Sequence, residues 1–411
     1  MKHIKIISVI LLLLLTSLPL NVSAENTARA CESFLAEDGG IIAVSYRGER
    51  DKFPENSLQG IRKAISDGAD MVYINVKVTV DGQPILCADE DLTRLTDCED
   101  ITPVTEMTLE QVQSYNRRDG VGGKTAEVNS YHINSLSEVL FAVENSTMLM
   151  IDFDFADFDV VYETVENCHC LQTAFLVCRC DTDEYTAKIE SLEKTPYTVL
   201  YRKTNIVFTA WNFVKTAEQT DKSCIWLASS NTYGVVWKNW VMKHKSTKRG
   251  VVCTAEPGLC GQRYDTEAYW NDLVSRGYSV IITDDISGLI AFRDNSAAAK
   301  QNLADKVEAL DESFTLPEFD SYEYIDYKKA YTDAYSEAQT LLSKQAVGEQ
   351  EANECIYSLN TAVRNINTNY ADLENGVAGV TFSIPRLIIV LLSVVAVVAA
   401  QLYIFKKRKK G

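Results

Sequence analysis

Between residues 38 and 295 this chain alternates short β-rich runs with helical stretches, and that alternation limits its fold more than any other feature. Apolar strands separated by helix-length segments bury both faces only as a parallel sheet covered by helices. Strands are predicted near 41–45, 71–76, 148–153, 173–178, 197–201, 225–228, 250–254 and 278–283. Eight such units predict an α/β fold closed as a (β/α)8 TIM barrel. Residues 83–87 read as an extra hairpin arm, and 91–135 as an insertion before the third barrel strand.

The two ends suggest a compartment. Residues 1–5 carry two lysines, 6–20 are apolar, and Val22-Ser23-Ala24 puts small residues where a signal peptidase reads. A signal peptide is expected over 1–24, with Glu25 as the mature start. A second apolar run, 387–405, is 19 residues long without a charge, enough to cross a hydrocarbon core of about 30 Å at about 1.5 Å per helical residue. A buried core helix would instead alternate its faces. Five basic residues, 406–410, follow, so the positive-inside rule makes the tail 406–411 cytoplasmic. The expectation is a single-pass cell-membrane protein, held through one C-terminal transmembrane helix, with the barrel outside.

Setting aside Lys2, Lys5, Arg386 and the five basic tail residues leaves 32 of the 40 Lys and Arg against all 57 Asp and Glu. The segment between the termini is therefore strongly acidic. That argues against nucleic acid as a partner, because phosphate contacts need clustered cations, and solubility alone explains the excess. Eleven cysteines in an exported chain invite disulfides, with at least one left over. Cys87 with Cys98 and Cys253 with Cys260 are local candidates. Cys168-His169-Cys170 and Cys178-Arg179-Cys180 suggest zinc, but the predicted strand between them holds the pairs roughly 20 Å apart, too far for one tetrahedral site.

The chemistry-bearing residues cluster in 44–90. Arg47-Gly48, Pro54-Glu55-Asn56, Gly68-Ala69, Asp81-Gly82 and Asp89 stand at the spacing found in the glycerophosphodiester phosphodiesterase family, which this segment resembles. The resemblance continues through Thr108 to Val112, Asn134 to Leu140, Met148 to Asp154, Val251 to Glu256 and Gly277 to Ile286. It implies a TIM barrel of the phospholipase-C-like phosphodiesterase type. It also implies a divalent cation, calcium or magnesium, held by three carboxylates, two acid–base histidines, and an arginine on the phosphate. Here Tyr46 and Ala88 replace the histidines, Tyr73 and Asn75 replace two carboxylates, and Asp152 alone remains at the third metal position. Asp154 stands where lysine is usual.

Hard cations need carboxylate oxygens, and Tyr73 and Asn75 bring no charge at neutral pH. Each positioned acid or base contributes about 10²- to 10⁴-fold, so losing both removes about 5 to 11 kcal/mol of barrier lowering at 1.36 kcal/mol per decade. Tyr46, with an ordinary pKa of about 10, is a poor substitute. Asp89 is a possible proton donor if strongly perturbed. The vestigial positions are thus Tyr46 and Ala88. Arg47, Glu55, Asn56 and Asp89 are the candidate ligand-binding residues, and Asp152 is the residual metal position. Arg47 is the cation expected to hold an anion, and Tyr46 with Tyr73 offer either flat recognition surface or a plug. Pro54 to Ser57 also suits a helix entry capped by Asn56 or Ser57, and Asp81-Gly82 a two-residue hairpin turn.

Beyond about residue 295 the pattern becomes helical, an expected stalk over 296–380. Within it, 322–367 resembles the FIVAR modules of Gram-positive surface proteins through Ala330, Ala334, Ala338 and Leu341, then Ala352, Leu359 and Ala362. A plain spacer is the alternative. The sequence as a whole reads as a pseudoenzyme with no cofactor that binds a small phosphate-bearing or cell-surface ligand. An active metal-dependent phosphoric diester hydrolase of lipid metabolism and a purely structural surface protein are the rivals.

Overall fold

The structure is a computed structural model that describes residues 39–255, 265–318, 322–344 and 346–374, together with Phe34. All eight predicted barrel strands form. In chain order the elements are β1 (Ile42–Tyr46), α1 (Leu58–Ser66), β2 (Met71–Val78), β3 (Pro84–Leu86), α2 (Leu109–Gln113), α3 (Leu136–Val143), β4 (Met148–Asp152), α4 (Phe158–Asn167), β5 (Ala174–Cys178) and α5 (Thr182–Glu190). They continue with β6 (Tyr197–Lys203), α6 (Val207–Ala217), β7 (Ser223–Ala228), α7 (Thr232–Lys245), β8 (Gly250–Cys253), α8 (Glu267–Ser275), β9 (Tyr278–Thr283), α9 (Ile286–Ser313), α10 (Tyr322–Leu342) and α11 (Glu349–Glu374). The parallel strands run β1-β2-β4-β5-β6-β7-β8-β9 and close through β9 onto β1. β3 is the expected arm, antiparallel to β2.

Period-two alternation sorts the strand residues into two cores. Ile42, Val44 and Tyr46 of β1, Met71 and Tyr73 of β2, and Met148 and Met150 of β4 fill the barrel interior. Ala43, Val72, Ile74, Leu149 and Ile151 point the other way and pack under the helices, against Ile61 and Ala64 of α1 and Leu140 of α3. Each fully buried Val, Leu or Ile contributes about 1.5–3 kcal/mol.

The motifs around the site have local structural work as well. Ser57 rather than Asn56 caps α1, its Oγ accepting from the Gly60 N–H at 3.1 Å. Thr108 with Gln111 and Ser135 with Glu138 form reciprocal capping boxes at α2 and α3. Asp81-Gly82 belongs to a three-residue loop, 80–82, closed by the Thr79 N–H on the Gln83 carbonyl at 3.1 Å, instead of the expected two-residue turn. Cys87 and Cys98 remain thiols, donating to the carbonyls of Asp89 and Asp100 at 3.4 and 3.5 Å, so that candidate disulfide does not form.

Helix α9 runs unbroken through residue 295, where the sequence suggested a boundary. By compactness, residues 337–344 and 346–355 group with the barrel unit, while 309–318, 322–336 and 356–374 fall in a second unit. Among the described residues no helix is long and apolar enough to cross a membrane. The expected signal peptide 1–24, the apolar run 387–405, the tail 406–411 and Cys260 lie outside the described residues.

Gly48 is the tightest point of the β1–α1 turn. It has φ +82°, and a Cβ there would stand 2.7 Å from the Gly60 carbonyl carbon and 2.8 Å from the Ile61 nitrogen. Gly48→Ala is therefore expected to cost about 2–4 kcal/mol, from backbone strain and the clash with α1. Urea unfolding measures this, and unchanged stability would show that α1 can retreat.

Candidate functional site

In a barrel of this kind, residues at the C-terminal strand ends converge on one mouth. Tyr46 ends β1, Tyr73 lies beside it on β2, and Asn75 lies two residues further along that strand. Asp152 ends β4, and Arg179 directly follows β5. Sheet register makes Tyr46 the neighbour of Tyr73, and Asn75 the neighbour of Asp152. The sequence's vestigial positions are therefore brought together as adjacent pairs.

The two tyrosines stack, with ring centroids 5.4 Å apart and planes 12° from parallel. They are only 3% and 4% exposed, so they close the barrel interior and offer no flat recognition surface, which corrects that expectation. Tyr73 also meets Trp226 of β7 edge to face, and Trp226 meets Tyr201 of β6. The barrel mouth is thus floored by aromatic rings.

Asp152 sits above this floor. Its Oδ1 accepts from Arg179 Nε at 2.8 Å and its Oδ2 from Arg179 Nη2 at 2.5 Å. The Tyr73 hydroxyl donates to the same Oδ2, and Asn75 Nδ2 donates to the Tyr73 oxygen at 3.0 Å. Arg179 lies with its guanidinium 4.0 Å from the Tyr201 ring centroid. Burial first, and then the Asp152 charge, push the Tyr73 phenol well above its ordinary range, so it stays a neutral donor. Burial alone would lower Arg179, but the bonds and charge of Asp152 outweigh it and raise the guanidinium further.

A second cluster surrounds Glu55, whose side chain is 1% exposed. Arg47 Nη1 and Arg94 Nη2 both reach its Oε1, at 2.9 and 2.8 Å, while Arg50 Nη1 lies 3.7 Å from Oε2. Arg47, at φ +64°, also donates from Nε to Asn75 Oδ1 at 2.8 Å, linking the two clusters. Arg94 holds Asp89 through two bonds, at 2.6 and 2.7 Å, and Arg50 pairs with Asp284. Asp89 therefore spends both oxygens on Arg94. Beneath them Arg117, fully buried, donates to the Glu55 and Asn56 carbonyls, and burial lowers its pKa to about 10. Asn56, at φ +53°, accepts from the Asn75 N–H at 3.2 Å and so braces strand β2. Ala88 lines a cavity of about 150 Å³ with Lys77, Asp152 and Arg179.

The structure thus places the sequence-derived residues in one mouth and adds three arginines that sequence reasoning missed. Among the described residues Arg47 is one of four guanidiniums there. Arg179 was passed over inside a Cys-x-Cys pair, although it follows a predicted strand end. A divalent cation does not fit these residues. The one surviving carboxylate has both oxygens engaged by a guanidinium, and its neighbours are a phenol and an amide. Among the described residues no group of three or more His, Cys, Asp or Glu stands close enough to hold a metal.

A parallel eight-stranded barrel with its polar groups at the C-terminal mouth is the architecture of a TIM-barrel protein. The model of the glycerophosphoryl diester phosphodiesterase family matches residues 47–287, more than half of the chain. The chain belongs to that family. It is 32% identical over 120 residues to an uncharacterised protein of Mycobacterium tuberculosis, covering 28% of this chain and 39% of that one. It is 36% identical over 76 residues to human glycerophosphodiester phosphodiesterase 1, covering 18% and 22%. The chain therefore spans well under half the length of these relatives. The crystal structure of a glycerophosphoryl diester phosphodiesterase from Parabacteroides distasonis superposes with a TM-score of 0.52 at 17% identity, covering 64% of this chain and 90% of that one. At that identity the likeness speaks for the fold.

Arg179→Ala would leave Asp152, 5% exposed, with only Tyr73 as a bonded partner. Breaking a buried ion pair typically costs 3–5 kcal/mol, and the partial exposure of Arg179 reduces this to about 2–3 kcal/mol. Asp152→Asn with Arg179→Leu should recover part of the loss. Chemical denaturation of the single and double variants checks both, and an unaffected single variant would make the pair incidental.

Proposed function

We propose that this chain is a membrane-anchored, extracytoplasmic member of its family that does not hydrolyse phosphodiesters by the family's metal-dependent route. In this reading it uses the barrel mouth to bind a small phosphate-bearing or cell-surface ligand. The observation that carries the first half is the bidentate hold of Arg179 on Asp152, which puts a guanidinium on the one remaining metal carboxylate. Neutral Tyr46 and Ala88 leave no acid–base pair at the family's positions. The second half rests on the guanidinium forks of Arg47 and Arg94, whose geometry suits phosphate or carboxylate oxygens, and on the cavity at Ala88. Each fork is already paired with a carboxylate. That observation favours the purely structural reading as the rival.

The purified protein should turn over glycerophosphodiesters no faster than background, with or without calcium or magnesium. Metal-stimulated turnover lost in Asp152→Ala would establish the enzyme instead. Restoring Tyr46→His, Tyr73→Glu, Asn75→Asp, Ala88→His and Asp152→Glu should regain activity only when Arg179 is also replaced. Arg47→Ala should weaken an anionic ligand by about 1.5–3 kcal/mol. Thermal-shift screening of glycerophosphates and headgroups against both proteins reads this, and equal responses favour the structural role. Protease added to intact cells should remove the barrel, whereas protection of residues 25–380 would overturn the anchoring.

A further inference from the structure

The outer face of helices α6 and α7 is aromatic where a barrel helix facing water is usually polar. Along α7, Tyr233, Trp237, Trp240 and His244 form one stripe at helical spacing. Their rings follow one another at centroid distances of 5.8, 6.3 and 5.4 Å. Tyr233 is 67% exposed and Trp240 41%, and on the neighbouring segment Phe208 is 63% and Trp211 43% exposed. Lys245 joins the two helices, its ammonium 5.3 Å from the Trp211 ring and 5.6 Å from the Trp240 ring. The opposite faces carry the ordinary core contacts, through Phe213 and Val214 on α6 and Val241 and Met242 on α7. The exposed rings are therefore additional to what the fold requires.

Charge follows the same boundary. Residues 202–249 hold nine Lys and Arg against two Asp and Glu, in a chain whose formal net charge is −17. Lys203, Lys215, Lys243 and Lys245 are all exposed. An acidic protein thus carries a basic segment here besides residues 406–410, and four of the five tryptophans, Trp211, Trp226, Trp237 and Trp240, fall within it.

We propose that the α6–α7 face is an interfacial docking surface for an anionic lipid bilayer. Tryptophan and tyrosine rings settle at the headgroup level, where the apolar ring is buried and the polar edge stays hydrated. Lysines beside them add attraction to anionic headgroups. Charge complementarity selects this occupant over a second copy of the chain. Paired symmetrically, this face would set the same lysines against each other. The surface is separate from the barrel mouth, and the proposal holds whether or not the mouth binds a ligand.

None of the five tryptophans falls in the apolar run 387–405, so tryptophan emission reports on the barrel even if that run inserts. The full-length protein is mixed with vesicles whose acyl chains are brominated near the headgroup. With phosphatidylglycerol, emission is expected to fall by roughly half, since three of the five tryptophans lie on this face. Phosphatidylcholine vesicles and the variant Lys243→Glu/Lys245→Glu should show little quenching. Trp211→Ala/Trp240→Ala should retain its fold by circular dichroism and lose most of the quenching. Absence of quenching on phosphatidylglycerol, equal quenching on both lipids, or a dimer abolished by the tryptophan substitutions would overturn the proposal.

Discussion

The mouth of this barrel is organised by one buried carboxylate and the guanidinium that neutralises it. A carboxylate at the end of a barrel strand with almost no solvent access is costly unless it is paired and hydrogen-bonded. Asp152 meets both conditions through Arg179 and Tyr73. The other substitutions follow from that pairing. A glutamate at position 73 would set a second negative charge beside Asp152, whereas a phenol donates to it. An aspartate at 75 would add a third, whereas the amide joins Tyr73 to Arg47. The tyrosine at 46 then fills, by stacking, the interior space beside Tyr73. Arg47, Tyr73, Asn75, Asp152 and Arg179 are thus joined in one hydrogen-bonded network.

Much of this was legible in the sequence because strand periodicity and motif order are local. All eight barrel strands, the hairpin arm and the meeting of Tyr46, Tyr73, Asn75 and Asp152 could be anticipated, since strand register determines which residues share the mouth. What escaped depends on contacts distant in sequence. Arg179 reaches Asp152 across 27 positions and Arg94 reaches Glu55 across 39, and neither arginine is marked by a motif. The cysteines flanking Arg179 drew attention away from its place after β5. Burial was also invisible, so the sequence left recognition surface and plug both open for the two tyrosines, and the structure makes them a plug. The exposed aromatic face of α6 and α7 escaped because tryptophan in a barrel helix ordinarily signals packing.

The backbone around the mouth answers to geometry that is independent of the mouth's chemistry. Gly48 turns the chain tightly against α1, Ser57 caps that helix, and Arg117 ties down the Glu55–Asn56 loop from beneath. Such residues answer to backbone geometry and buried polar satisfaction, so they persist whatever the mouth does. Asn56 shows the overlap most clearly, since it occupies a family motif position and here braces the backbone of β2. Family membership therefore carries the architecture directly, while the chemistry has to be read from the side chains present.

The central claim is that the internal guanidinium of Arg179 stands in the cation's place. Isothermal titration of calcium and magnesium into the purified protein, at neutral pH, tests it most directly. The account predicts no stoichiometric site tighter than about millimolar, because the carboxylate charge that a hard cation needs is absent or engaged. A stoichiometric micromolar site that disappears in Asp152→Ala would contradict it, since Asp152 would then be holding a metal despite Arg179.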